Sequence, residues 1–225
     1  MGRTKQIRFA QNTNNPRIVE AGKAFFACSQ GNWHEEYFNN RHPIHLELAC
    51  GRGEYSLGMA RLFPFQNFIG IDIKGDRLWK GATQADREDL PNVAFLRCRM
   101  HEIDRFFAPQ EVSGIRMVFP DPRPRSRDMR RRLTHPRYLD MYRRLLQPQA
   151  WFRLKTDSDL FFEYSLQSLA EIGVSDLSYT YDLYRSPWTC EHYGIQTRYE
   201  RMWLAEGRKI KYLKCRFIST HPVSS

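Results

Sequence analysis

Glu47, Gly51, Gly53 and Asp72 are the first residues whose types and spacing suggest chemistry. They lie in Ile44-His-Leu-Glu-Leu-Ala-Cys-Gly-Arg-Gly-Glu54 and Asn67-Phe-Ile-Gly-Ile-Asp72. An apolar run ends in a glycine turn, and a second apolar run ends in a carboxylate nineteen residues after Gly53. Glycine permits positive φ and close backbone approach to a ligand. A carboxylate at the second strand end can accept both hydroxyls of a ribose. Together they predict a pocket for a nucleoside-bearing cofactor. The third glycine of a dinucleotide turn is absent, its place taken by Ser56. Glu47, inside the first run, repels a pyrophosphate and attracts a sulfonium or ammonium. That sign favours S-adenosylmethionine over NAD, and no Walker-type loop is present.

A second constellation begins at Phe119-Pro-Asp-Pro-Arg-Pro-Arg125. Alternating prolines stiffen the exit of an apolar run and fix one carboxylate, Asp121. Arg123, Arg125, Arg127, Arg130, Arg131 and Arg132 follow, with Asp128 as the one nearby acid. A charge run alone is usually a solvated face. At the mouth of a presumed site, arginines that pair bidentately with phosphate predict a nucleic-acid track. Lys155-Thr-Asp157 and Thr197-Arg-Tyr-Glu200 are two further polar patches. Asp157 could equally cap the next helix, and Glu200 could equally pair with Arg198 or Arg201.

These residues need elements to hold them. Apolar runs predict strands over 44–49, 67–72, 93–98, 115–119, 150–156, 175–182 and 211–217. Helical spacing falls over 53–63, 74–88, 130–146 and 159–172, with a short helix near 198–206. Ser158 or Asp159 caps the 159–172 helix and Gly173 stops it. The alternation predicts an α/β fold, a seven-stranded mostly parallel sheet with helices on both faces. Residues 18–43 predict a helix or two on the sheet edge. Residues 1–17, basic and polar, read as a mobile arm before a single domain over 18–225.

The chain has 225 residues, enough for one sizeable core, and a net charge of +10, which suits a phosphate-rich partner. At 14% aromatic it is no disordered basic tail. No apolar stretch is long enough to span a membrane. Residues 1–18 lack the apolar core of a secretory signal. The five cysteines are odd in number and widely spaced, which predicts reduced thiols in a cytoplasmic protein. Cys190-Glu-His192 could be half of a metal site, but no second half is visible, so no metal is expected.

Together, Glu47–Glu54, Phe68-Ile-Gly-Ile-Asp-Ile-Lys74, Phe119–Pro122, Arg131-Arg-Leu-Thr134, Lys155–Asp157 and Thr197–Glu200 resemble the bacterial tRNA (guanine-N7)-methyltransferase family over roughly residues 44–217. The resemblance implies a Rossmann-like class I methyltransferase fold. It implies methyl transfer from S-adenosylmethionine to N7 of a guanine, usually position 46 of tRNA. By position, Glu47, Gly51, Gly53 and Asp72 would hold the cofactor. Asp121 would serve both cofactor pocket and catalysis, and Arg125, Asp157, Thr197, Arg198, Tyr199 and Glu200 would contact the substrate. The family usually has Gly at Ala49, Trp at Arg123, Lys at Arg125 and an acid near Arg99, so Glu102 or the backbone is left to hold the adenine.

Guanine N7 has a free lone pair, so no base is needed to create the nucleophile. Positioning then dominates, together with a carboxylate near the purine as positive charge moves onto it. Asp121 takes that role, with Asp157 and Glu200 as alternatives at the base edge. A methyltransferase for a small molecule or protein leaves the arginines unexplained. A non-catalytic RNA-binding protein of the same fold is a further reading. An NAD-dependent dehydrogenase is disfavoured by Ser56 and Glu47. Monomer and homodimer are both open.

Overall fold

A computed structural model describes residues 3–218 of the chain, with side chains from residue 6 onward. Eight strands form one sheet, one more than the sequence pattern predicts. They are β1 (Ile18–Val19), β2 (Ile44–Leu48), β3 (Asn67–Asp72), β4 (Val93–Arg97), β5 (Val112–Val118), β6 (Leu146–Thr156), β7 (Val174–Thr180) and β8 (Lys211–Phe217). The extra strand, β1, has only two residues, too short to leave a periodic signal. The order is β1-β4-β3-β2-β5-β6-β8-β7, and only β8 runs against its neighbours. Strand order therefore reverses between β2 and β5. Ligand sites open at the carboxyl ends of the strands flanking such a point.

Among the described residues, seven α-helices accompany the sheet: α1 (Arg3–Asn14), α2 (Ala24–Cys28), α3 (Glu54–Leu62), α4 (Gly75–Arg87), α5 (Pro136–Leu145), α6 (Asp159–Ile172) and α7 (Arg198–Ala205). Leu46 and Leu48 of β2 and Ile69 and Ile71 of β3 face Tyr138, Leu139 and Tyr142 of α5 and Phe161 and Phe162 of α6. Phe68 and Phe95 point the other way, into Tyr55 and Leu57 of α3 and Leu78 and Ala82 of α4. Each fully buried Leu, Ile or Phe among them contributes about 1.5–3 kcal/mol. The sheet is thus covered on both faces, and its central strands have little solvent contact.

Ser158 Oγ accepts from Phe161 N at 3.2 Å as the cap of α6, and Gly173 ends that helix at φ +74°. Asp157 is therefore not the cap. α5 starts six residues later than the expected 130, because Pro136 occupies its first turn and cannot extend it backwards. A 3-10 turn over Ser126–Arg131 takes up part of the difference.

The expected mobile arm is corrected for most of its length. Residues 3–14 are α1, packed against α4, with Asn12 buried and its Nδ2 donating to Gly75 O at 2.9 Å. Arg8 lies over the Trp79 ring, and Arg97 lies over Phe9. The low apolar content of 1–17 hid these few contacts. Residues 1, 2 and 219–225 lie outside the described residues. Among the described residues, no helix is long and apolar enough to cross a membrane.

Candidate active site

The turn after β2 is a run of left-handed backbone. Ala49, Gly51 and Gly53 have φ of +57°, +58° and +69°. At Gly53 a Cβ would sit 2.3 Å from Phe95 Cε1, so no larger residue fits. At Gly51 a Cβ would meet nothing within 4 Å, so the backbone there borders open space. Asp72 holds the turn from behind: Oδ2 accepts from Gly51 N at 3.0 Å and Oδ1 from Lys74 N at 2.9 Å. Its remaining lone pairs leave acceptor capacity for hydroxyls.

Glu47 is 5% exposed. Its Oε2 accepts from Ser56 N at 2.8 Å and from Ser56 Oγ. Ser56, the residue that replaces the third glycine, thus positions the acid. Burial pushes Glu47 up to about 7, against the lowering effect of the two Ser56 bonds. A cleft at the ends of β2 and β5 gathers Glu47, Gly51, Glu54, Phe119 and Thr197 to Tyr199. Glu54 accepts from Arg198 N at 2.5 Å and joins the two sides.

The proline loop after β5 carries Asp121. Phe119 and Arg123 bracket it at φ +52° and +48°, conformations that cost non-glycine residues free energy. The Asp121 side chain is 63% exposed, and its Oδ2 lies 3.1 Å from Arg123 Nε. Arg125, Arg127, Arg130 and Arg131 are exposed nearby, while Arg123 is half-buried and Arg131 pairs with Asp128 at 3.1 Å. Arg132 is a correction. It is 5% exposed, its guanidinium lies 4.5 Å from the Tyr164 ring centroid, and its Nε donates to Arg123 O. It braces the loop from inside and is not part of an exposed track.

Glu200 is a second correction. It is fully buried. Its Oε2 lies 2.8 Å from Lys155 Nζ, in a charge contact without straight hydrogen-bond geometry, and its Oε1 accepts from Tyr184 OH at 2.9 Å. Burial pulls Lys155 below its usual value, while Glu200 holds it up. Glu200 therefore pins α7 to β6 rather than reading a base edge, and its partner is neither Arg198 nor Arg201. Thr197 Oγ1 caps α7 by accepting from Glu200 N at 3.2 Å. Arg198 is exposed, and Tyr199 is 52% exposed beside the cleft. Asp157 is held by Arg208 at 3.1 Å.

Lys155, Glu54 and Tyr184 are the contributors that sequence reasoning did not assign. A lysine on the same side of a central strand as Trp151 and Arg153 was the available signal for the first. At the expected adenine end Arg99 is exposed, and Glu102 is half-buried and 3.6 Å from Arg105. All five cysteines are free thiols. Among the described residues, no group of three or more His, Cys, Asp or Glu side chains could hold a metal ion.

A family model described as "Putative methyltransferase" matches residues 41–213. A protein of Cytophaga hutchinsonii named tRNA (guanine-N(7)-)-methyltransferase is 43% identical over 97% of this chain and 99% of its own. Proteins of the same name from Bacteroides fragilis and Geobacillus thermodenitrificans are 42% and 38% identical, over 95% and 80% of this chain and 86% and 82% of theirs. Among solved structures, the 16S rRNA methyltransferase KamB superposes with a TM-score of 0.62 at 18% identity, over 90% of this chain and 99% of that one. A 16S rRNA (adenine(1408)-N(1))-methyltransferase with cosubstrate SAM gives 0.57 at 15% identity, over 86% and 93%. Likeness at that identity carries the Rossmann-like α/β fold alone.

Proposed function

The chain belongs to the tRNA (guanine-N(7)-)-methyltransferase family, and from that premise we propose that it transfers a methyl group from S-adenosylmethionine to N7 of a guanine in tRNA, at position 46, in the cytoplasm. The single observation that carries the reading is the convergence of Glu47, Gly51, Phe119 and Thr197 to Tyr199 on one cleft beside the Asp121 loop.

The residues present fit the cofactor. Open space at the Cβ position of Gly51 lets its backbone border a ligand. Asp72 backs the same turn with acceptor capacity for ribose hydroxyls. Glu47 places an ionisable carboxyl in the cleft, opposite in sign to a sulfonium. When bound, S-adenosylmethionine supplies an electrophilic methyl group on a cationic sulfur.

The protein's own part is alignment and electrostatics. The acceptor nitrogen already has its lone pair, so no residue has to remove a proton from it. The proline loop holds Asp121 where its carboxylate can offset positive charge on the purine and accept from guanine N1 and the amino group. Arg123 is the gate to that role, because it pairs with Asp121 across 3.1 Å. Tyr199 presents an exposed ring for stacking and Arg198 a charge for the backbone. Arg125, Arg127, Arg130 and Arg131 extend that charge along the RNA.

Incubation of the protein with methyl-labelled S-adenosylmethionine and unmodified tRNA, followed by mapping of the label, tests the reading. The expected product is N7-methylguanine at position 46. Label at any other atom, or in no tRNA, overturns it.

A further inference from the structure

α7 carries two of the exposed residues assigned to RNA, Arg198 and Tyr199, at the end where its apolar hold is weakest. Glu200 is its one buried residue, and Lys155 fixes it from below. Trp203 and Leu204, in the second half of the helix, pack on the cluster of Leu183, Ile210 and Tyr212. The place of the first turn across the cleft depends on other contacts. These come from α3, the helix that leaves the glycine turn.

α3 offers two such contacts, four residues apart and so on one face. The first is Gly58. A Cβ there would lie 2.7 Å from Ile195 Cγ2 and 2.9 Å from Ile195 Cγ1, so the missing side chain is what lets Ile195 seat on the helix. Glycine inside a helix is unfavourable against alanine, and here the close approach gives it a use. Ile195 packs on the cluster that holds Tyr55 and Leu57 of the same helix.

The second contact is Glu54, whose Oε2 accepts from Arg198 N at 2.5 Å. Arg198 is the first residue of α7, and its N–H is one of the donors that a helix leaves without an internal partner. Thr197 Oγ1 serves another, Glu200 N. Glu54 is itself the first residue of α3, so the positive ends of two helix dipoles meet at one carboxylate. Among the described residues Glu54 forms no ion pair, although Arg52, Arg77 and Arg198 line the same cleft. Its bond goes to a main-chain amide, which fixes the path of α7 and leaves the exposed Arg198 side chain for RNA.

We propose that Glu54 is a positioning residue for methyl transfer: with Gly58 it docks the start of α7 on α3, so that Arg198 and Tyr199 stand at a fixed place relative to the glycine turn. The proposal rests on the reading that α7 meets RNA. Glu54 differs in kind from the Lys155–Glu200 pair. That pair is buried and keeps the helix in the fold, whereas Glu54 is half-buried and sets only where the helix starts.

Hydrogen exchange at the first turn of α7 and single-turnover methylation of tRNA, both on the full chain, test it together. In Glu54→Ala the Arg198 amide is expected to exchange about tenfold faster, as for the loss of one hydrogen bond. Transfer at saturating tRNA is expected to slow about tenfold, with calorimetric affinity for S-adenosylmethionine kept. Glu54→Gln, whose side-chain carbonyl can still accept from Arg198 N, is expected to keep both exchange and rate. Equal exchange in wild type and Glu54→Ala overturns the proposal. So does faster exchange without slower transfer, or a Glu54→Gln protein as slow as Glu54→Ala. Loss of cofactor affinity in both variants overturns it as well, by making Glu54 a ligand of the cofactor. A wild type that methylates no tRNA sinks the functional reading instead, and the exchange comparison then decides the docking of α7 by itself.

Discussion

The two sides of the cleft are built by opposite means. On the β2–β3 side, acids are buried and tied to backbone amides: Glu47 to Ser56 N, and Asp72 to Gly51 N and Lys74 N. On the β5–β6 side, the one acid assigned to chemistry, Asp121, is exposed and held by a single arginine. The first side is preformed, since Asp72 cannot turn without losing its bond to the glycine turn, nor Glu47 without losing its bonds to Ser56 in the first turn of α3. The second is open, since its arginines and Tyr199 stand in solvent. What keeps the open side in place is internal, the Lys155–Glu200 pair and Arg132 under the loop. A rigid side suits a ligand of constant shape. An exposed, charged side braced from beneath suits a large, hydrated polyanion.

The sharpest way to break this contrast is to remove the internal brace. Lys155→Met leaves the Glu200 carboxylate buried without its ammonium, and urea unfolding is expected to record a loss of about 3–5 kcal/mol. Lys155→Met with Glu200→Leu is expected to recover most of it. A single variant as stable as wild type would mean that α7 is held by something else.

Asp121→Asn is expected to slow single-turnover methylation on the order of 100-fold, with cofactor affinity kept, because the loop acid acts on charge formed during transfer. A near-normal rate removes Asp121 from the chemistry.

On the preformed side, Glu47 makes binding depend on pH. With its folded value raised to about 7, the contribution of Glu47 to stability is present below about 4.5 and lost as pH rises through about 7. A cationic ligand needs the ionised form. Calorimetric affinity for S-adenosylmethionine is therefore expected to rise about tenfold from pH 6 to pH 8, and Glu47→Gln is expected to abolish the trend. A flat profile in the wild type would mean that Glu47 does not face the ligand's charge.

The arginines separate the open surface from its brace. Arg130→Ala and Arg131→Ala are each expected to flatten the slope of log K for tRNA against log salt by about 0.9, if each contacts one phosphate. Arg132→Ala is expected to lower the melting temperature and leave the slope unchanged. Equal salt effects from all three would refute the distinction.

The smallest effect concerns the turn itself. Ala49 occupies left-handed backbone, so Ala49→Gly is expected to stabilise the protein by about 1 kcal/mol in urea unfolding. No gain would mean that the turn relaxes around Ala49 at no cost.

Short-range patterns carry most of what could be read from the chain alone. β3 and β8 match their predicted limits, and α6 runs over Asp159–Ile172 as its cap and glycine stop require. The glycine turn, Asp72 at a strand end and the proline loop with Asp121 are local too, because each is defined by neighbours a few residues away. Arg130, Arg131 and Arg132 look identical in sequence, and only packing against Tyr164 sets Arg132 apart. Glu200 reads as a surface acid until β6 brings Lys155 beneath it. α1 reads as a polar arm until Asn12 meets Gly75, sixty-three residues away. Spacing and residue type thus determined seven of the eight strands and the glycine turn, while the reaction followed from the family resemblance that the motifs carry. The tertiary structure decided which charges face water and which face each other, because burial and partner choice depend on contacts between segments far apart in the chain.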